Sequence, residues 1–258
     1  MIEFDCHAHV YETVKPVDGA RYVPASPAPL GDWLDHQATH GLRGGVIVQV
    51  SFLGTDNSQM CDALSRLDLG RFAGVGVVPL DVDDADLKSL VRSGVRGVRW
   101  NLVKGAALPD LRSDRVQGFF ANLRDNGLHL ELHLEGPRLA PLLPVLTDQG
   151  VDLVIDHFGL PSEPLAKNDP MIRAVEALAD RSALYFKFAA HYRLPFDVEP
   201  HATELASLLH GDHIVWGSDW PHTQHEKCIN FGKAHTLSRR WATIADARAV
   251  ECLYGLKS

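Results

Sequence analysis

The stretch Ile2-Glu3-Phe4-Asp5-Cys6-His7-Ala8-His9 separates two architectures that the rest of the chain would allow. Residues 2–6 read as a short strand, whose side chains alternate between two faces. His7 and His9, two apart, therefore point the same way where the strand runs out. An open doubly wound sheet would carry a glycine fingerprint at this position, whereas here the strand runs straight into His-Ala-His. Two imidazoles converging at a strand end suit a metal ion or a reacting carbonyl. Polar residues at strand ends are common, so the weight of the reading comes from the other strands, which finish the same way.

Apolar runs of strand length recur at residues 2–6, 45–50, 72–79, 95–100, 128–134, 151–155, 183–188 and 213–216. Helical patterns lie between them at 30–40, 57–67, 84–93, 114–126, 139–149, 170–180 and 200–209. Gly41, Gly94, Gly127 and Gly150 stand where helices stop, and Pro170 and Pro200 stand where a first turn tolerates proline. Strand and helix alternating in this way predict an α/β fold, a (β/α)8 TIM barrel formed as a single domain over residues 1–258. No composition shift or linker divides the chain. The stretch 16–29, with Pro16, Pro24, Pro27 and Pro29, reads as one long loop forming a wall or lid at the mouth.

Composition narrows the function classes. The chain has 258 residues, 45% of them hydrophobic, and a formal net charge of -8. An acidic chain is a poor partner for nucleic acid, whose phosphates need a basic surface. Cys6, Cys61, Cys228 and Cys252 are far apart with no CxxC pair, which suits reduced thiols better than a disulfide framework. The strand begins within two residues of the start, so no signal peptide is expected, and no apolar run approaches a membrane helix. A cytoplasmic protein with a small anionic substrate is expected, without nucleic-acid or membrane partners; a homo-oligomer is compatible with the sequence.

In barrels of this kind the site is built at the carboxyl ends of the strands. Those ends carry His7 and His9, Gln49 and Ser51, Arg99 and Asn101, Glu131 and His133, His157, Lys187, and Asp219. Seven of eight strands thus finish in polar or ionisable residues, several spaced by two. The remaining histidines are given lesser roles. His36 and His40, four apart on a helix, read as solvated surface, as do His201, His210 and His235. His129 is expected to face outward, and His191 to stand in the wall beyond the seventh strand.

Two segments carry a family resemblance. Asp5-Cys6-His7-Ala8-His9-Val10 resembles the opening of the amidohydrolase superfamily, in particular its Amidohydrolase-2 branch, and His213-Ile214-Val215-Trp216-Gly217-Ser218-Asp219-Trp220-Pro221-His222 resembles that branch's eighth strand. Gly94-Val95-Arg96-Gly97-Val98-Arg99-Trp100-Asn101 resembles its fourth strand and Ile155-Asp156-His157-Phe158-Gly159 its sixth. Residues 248–256, ending Leu253-Tyr254-Gly255-Leu256, resemble its terminal helix. The likeness covers nearly the whole chain in order. Within the branch it is nearest to the sugar-lactone and pyrone-dicarboxylate lactonases.

The resemblance implies a hydrolase that opens a lactone of a carboxylic or dicarboxylic acid. A zinc-dependent decarboxylase or hydratase of an aromatic or muconate-type acid is the alternative, and a non-catalytic binding barrel a third. It assigns His7, His9, His157 and Asp219 to the reacting centre, with Asp219 as the water-activating base and His157 beside the carbonyl. His7, His9, His133 and Asp219 would supply three imidazoles and a carboxylate for one divalent metal, zinc by its donor set. A metal-free mechanism stands beside it; His133 departs from the metal-free lactonase pattern and leans toward metal. Arg99 at the fourth strand's end, Lys187 and Arg193 are expected to grip a substrate carboxylate, with pairing of Arg99 to Glu131 or Asp156 as the competing reading. Ser51, Asn101 and His222 are further candidates for substrate contacts.

Overall fold

The computed structural model describes residues 2–209, 213–241 and 247–257; His210 lies outside them. Eight parallel strands pair in sequence order: β1 (Phe4–Ala8), β2 (Gly44–Val48), β3 (Phe72–Gly76), β4 (Val95–Asn101), β5 (His129–His133), β6 (Leu153–Ile155), β7 (Leu184–Phe188) and β8 (Ile214–Trp216). The ring closes where Ala8 bridges Trp220 in parallel, with the His9 amide donating to the Trp220 carbonyl at 2.8 Å. Ten helices accompany the strands among the described residues: α1 (Leu30–His40), α2 (Ser58–Ser65), α3 (Asp84–Arg92), α4 (Asp114–Asp125), α5 (Gly136–Leu139), α6 (Leu143–Thr147), α7 (Pro170–Ala177), α8 (Glu199–Leu208), α9 (Phe231–Ser238) and α10 (Ala247–Tyr254). This is the expected (β/α)8 barrel.

Side-chain parity divides the buried apolar residues into two groups, as the period of a strand requires. Ile47, Leu130, Leu132, Ile155, Phe186 and Trp216 belong to the layer between strands and helices. Val46, Val48, Ala73, Val75, Val154, Tyr185 and Val215 form a separate cluster inside the barrel. Ala249, Val250, Leu253 and Tyr254 of α10 join that inner cluster, so the last helix plugs the amino-terminal end of the barrel. Function is left to the opposite end.

The structure differs from the sequence reading in five places. The helix expected over 139–149 is broken into α5, a 3-10 turn at Ala140–Leu142 and α6, because Pro141 and Pro144 interrupt the amide ladder. No helical pattern was assigned over α9, although His235 within it was read as a helix-surface residue. His129 is buried inside the barrel rather than facing outward: it stands four residues from His133, an even spacing that keeps both on one face. Gly97 makes room for it, since a Cβ there would lie 2.1 Å from the His129 Nε2. His201 is fully buried, stacked on Phe196 at 5.6 Å, and His36 is half-buried, stacked on Phe231 of α9 at 4.9 Å; neither is a solvated surface residue.

Candidate active site

The first strand does more than present two histidines. Its register against β2 slips by one residue between Asp5 and Ala8, a bulge of the kind that re-aims side chains at barrel rims. Asp5 turns away from the interior and ties three elements together. Its carboxylate accepts from the Ser218 amide (2.7 Å), the Ser218 hydroxyl (2.6 Å) and the Trp33 indole (2.9 Å). Burial pushes the Asp5 carboxyl up to about 6 against the pull of these donors. Gly217, the next inward position of β8, cannot carry a side chain, because a Cβ there would stand 2.3 Å from that of His7. The ends of β1 and β8 are thereby pressed together, and Asp219 is delivered to the histidines.

Asp219 Oδ1 lies 3.8 Å from His7 Nε2 and 3.8 Å from His9 Nε2. Its other oxygen, Oδ2, accepts from Tyr192 Oη at 2.6 Å and from Arg193 Nε and Nη2 at 2.9 and 2.7 Å. Burial raises the Asp219 carboxyl, but Arg193 and then the neighbouring histidines hold it well below the usual carboxylate range. Since burial depresses those same histidines, His9 and His157 to about 4, Arg193 is the charge that keeps Asp219 ionised at neutral pH. Asp219 and His157 both adopt left-handed backbone, with φ of 59° and 54°. For non-glycine residues this costs on the order of 1–3 kcal/mol each, a strain that recurs where a site over-determines geometry.

Hydrogen-bond partners settle one ring. His9 Nδ1 lies 2.8 Å from the Val48 carbonyl, an acceptor only, so Nδ1 carries the proton and Nε2 presents a lone pair toward Asp219. His7 Nε2, His157 Nδ1 and Asp219 Oδ1 are buried without a hydrogen-bond partner, and one ligand atom from each of His7, His157 and Asp219 fits within 4.8 Å. Nitrogen and carboxylate donors converging with unspent lone pairs fit a single divalent cation. His133 stands elsewhere. Its ring is 4.7 Å from that of His157, its Nδ1 is 3.2 Å from Arg99 Nη2, and it groups with Asp156 and His157 rather than with His7 and Asp219.

Beneath the histidines lies a closed layer of charge. Arg99 Nε and Nη2 donate to Asp156 Oδ2 at 2.9 and 2.7 Å, Arg99 Nε is 3.4 Å from Glu131 Oε1, and Lys187 Nζ donates to Glu131 Oε2. His7 Nδ1 sits 3.3 Å from Asp156 Oδ1. Burial and the adjacent Asp156 push the Glu131 carboxyl up, while Lys187 and Arg99 pull it back. Lys187, Glu131 and Asp156 are closed to solvent, so Lys187 does not reach the cavity. Arg99 serves both sides: it pairs with Asp156 from below and lines the cavity above.

That cavity, about 100 Å³, opens at the carboxyl ends of the strands. His9, His133, His157 and Asp219 line its depth with Ser51, Arg99, Asn101 and Arg193, and Arg21, Tyr22 and Lys104 line its rim. His222 lies behind, its Nδ1 3.2 Å from Tyr192 Oη, and His191 packs on Trp241 at 5.8 Å. Among the described residues, four cations (Arg21, Arg99, Lys104, Arg193) thus meet one lining carboxylate, Asp219, in a chain of net charge -8. The competing reading of Arg99, as a partner of Glu131 or Asp156, is the contact observed. Tyr192 and Arg21 were not singled out from the sequence: Tyr192 precedes a chosen arginine, so proximity was the only available signal, and Arg21 sits in a proline-rich loop that offered none.

The amidohydrolase family profile matches residues 4–253. The chain belongs to the amidohydrolase family. A 4-sulfomuconolactone hydrolase of Rhizobium radiobacter is 29% identical over 231 residues, 85% of this chain and 76% of that protein. A 2-pyrone-4,6-dicarboxylate hydrolase of Comamonas testosteroni is 28% identical over 239 residues, 84% of this chain and 76% of that protein. A crystal structure from Acinetobacter baumannii, described as a probable 2-pyrone-4,6-dicarboxylic acid hydrolase with citric acid bound, superposes with a TM-score of 0.86 at 30% identity and covers 99% of this chain and 100% of that one. Among the described residues of this family member, no helix is long and apolar enough to cross a membrane.

Proposed function

We propose that this amidohydrolase opens a lactone whose acid carries one or more further carboxylates. The observation that carries the reading is the cavity itself: four cations around a strained, ionised Asp219, beside histidines with unspent lone pairs. The lactone-hydrolysing relatives supply the reaction class. Asp219 is the base. With Oδ2 held by Arg193 and Tyr192, only Oδ1 is free to take a proton from water. The water oxygen adds to the lactone carbonyl, the ring C–O bond breaks, and the leaving oxygen collects a proton to give the open acid. Arg99, reaching the cavity from its pair with Asp156, and Arg193, from its pair with Asp219, orient the substrate carboxylate through the guanidinium N–H donors that those pairs leave over.

His7, His9, His157 and Asp219 would hold one divalent metal, zinc in our reading, and when bound it would polarise the carbonyl or lower the pKa of the water. His9 enters with its tautomer already set by Val48 for that purpose. The four cysteines are all unpaired, consistent with a reducing cytoplasm as its place of action.

Kinetics on 2-pyrone-4,6-dicarboxylate and on its neutral dimethyl ester test the proposal. The diacid should turn over with kcat/KM about a hundredfold or more above the ester, the scale of losing a desolvated charge pair. Equal turnover of the ester would make the cationic lining structural. No turnover of any lactone acid, with or without added zinc, would end the lactonase reading.

A further inference from the structure

We propose that Arg21 is a positioning residue that sets the Asn101 amide and thereby makes the outer wall of the cavity selective for an anionic group. The inference rests on the lactone-acid reading, in which Arg21 counts only as one of four lining cations, and gives that residue a separate positioning role. Arg21 lies in the long loop after β1. That loop is pinned at its base, where Tyr11 pairs with Ala28, and midway, where the Val17 amide donates to the Phe52 carbonyl at 2.8 Å. Arg21 carries it across to the loop that follows β4. Its Nη2 donates to Asn101 Oδ1 at 2.9 Å and reaches the Asn101 carbonyl at 3.3 Å, and its Nη1 donates to the Val103 carbonyl at 2.5 Å.

A guanidinium has donors and no acceptor. The side-chain atom it meets on Asn101 must therefore be the amide oxygen, which leaves the two Nδ2 protons for the cavity that Asn101 lines. Asn101 shares its strand face with Arg99 and sits in register with His133, so a donor fixed there addresses an oxygen of a molecule bound over the histidines. Without Arg21 the amide can flip and present its oxygen, which would repel an anion. Arg21 is itself exposed, so replacing it leaves the barrel core untouched.

The test uses calorimetric binding of citrate, a tricarboxylate probe that needs no turnover, beside steady-state kinetics on 2-pyrone-4,6-dicarboxylate. Arg21→Met should weaken citrate binding about tenfold and raise KM to match, with kcat changed by less than about threefold. Asn101→Ala should weaken it similarly, and the double variant should lose little more than Asn101→Ala alone, since residues acting through one another are not additive. Arg21→Lys keeps the charge without the fork and should restore only a minor part. Wild-type binding of citrate with Arg21→Met unchanged would overturn this inference alone. Independent, multiplicative losses, or full rescue by Arg21→Lys, would show a bulk charge effect and overturn it too. Failure of the wild type to bind any carboxylate would remove the substrate reading on which it stands.

Discussion

Two layers of charge at the carboxyl ends of the strands behave oppositely. In the lower one Lys187, Glu131, Asp156 and Arg99 are two cations and two carboxylates, paired with one another and buried. In the upper one Arg21, Lys104 and Arg193 face a cavity where Asp219 is the only lining carboxylate among the described residues, and Arg21 and Lys104 are exposed. Apart from Arg21, these residues lie in the strands or in the loops that leave their carboxyl ends, and they look alike in a sequence. A balanced layer without access to solvent holds the histidines in place; an unbalanced layer with access is what a ligand meets. Arg99 belongs to both, which ties the position of a bound carboxylate to the scaffold under His7.

The largest effect should come from unbalancing the lower layer. Lys187→Met leaves the buried Glu131 without its hydrogen-bonded cation, with only Arg99 at 3.4 Å, and should cost about 3 kcal/mol of unfolding free energy. Lys187→Met combined with Glu131→Leu removes both charges and should recover much of that loss. Chemical denaturation of the two variants measures the difference. A single variant within about 1 kcal/mol of wild type would mean that the layer tolerates solvent, contrary to its burial.

Next stands the base. Asp219→Asn keeps the acceptor for Tyr192 and Arg193 but cannot take a proton, so kcat should fall about a hundredfold or more while the fold survives. Near-full activity would take Asp219 out of the chemistry.

The comparison also shows where sequence reading stops. The alternation of eight apolar runs made the barrel legible, and the spacing of His7 and His9 made their shared direction legible. The bulge that aims them was not, because it depends on how β1 registers against β2. Lys187 was legible as a strand-end cation, but depth along the strand, which separates a buried partner of Glu131 from a cavity residue, is a three-dimensional quantity. Lys187 ends deep because its ammonium reaches back to Glu131 on β5. Arg21 could not be seen at all, since a loop's destination is written in contacts, here with residues 101 and 103, rather than in any periodicity.

At the seam between the layers, Arg193 holds Asp219 through two nitrogens on one oxygen. Arg193→Met should lower kcat/KM about tenfold, the scale of one charge-assisted hydrogen-bonded contact. Arg193→Lys should recover less than half of that, because a point charge cannot supply both donors. Full recovery with lysine would show that charge alone matters at this position.

The smallest effect, and the sharpest contrast with Lys187, is expected at Lys104. Its side chain is exposed at the rim, so it draws an anion through solvent rather than through a desolvated pair. An exposed charge is worth well under about 1 kcal/mol and is screened within roughly a Debye length, 10 Å at 0.1 M salt and 3 Å at 1 M. Lys104→Ala should therefore raise KM for a dicarboxylate lactone about two- to threefold at low ionic strength and leave it unchanged at about 1 M salt. The loss from Lys187→Met, by contrast, should persist at every ionic strength, because no counter-ion reaches Glu131. KM and unfolding free energy measured across one salt series would show both behaviours. A salt-independent effect at Lys104 would place its ammonium in direct contact with the substrate, and would move the boundary between the two layers outward by one residue.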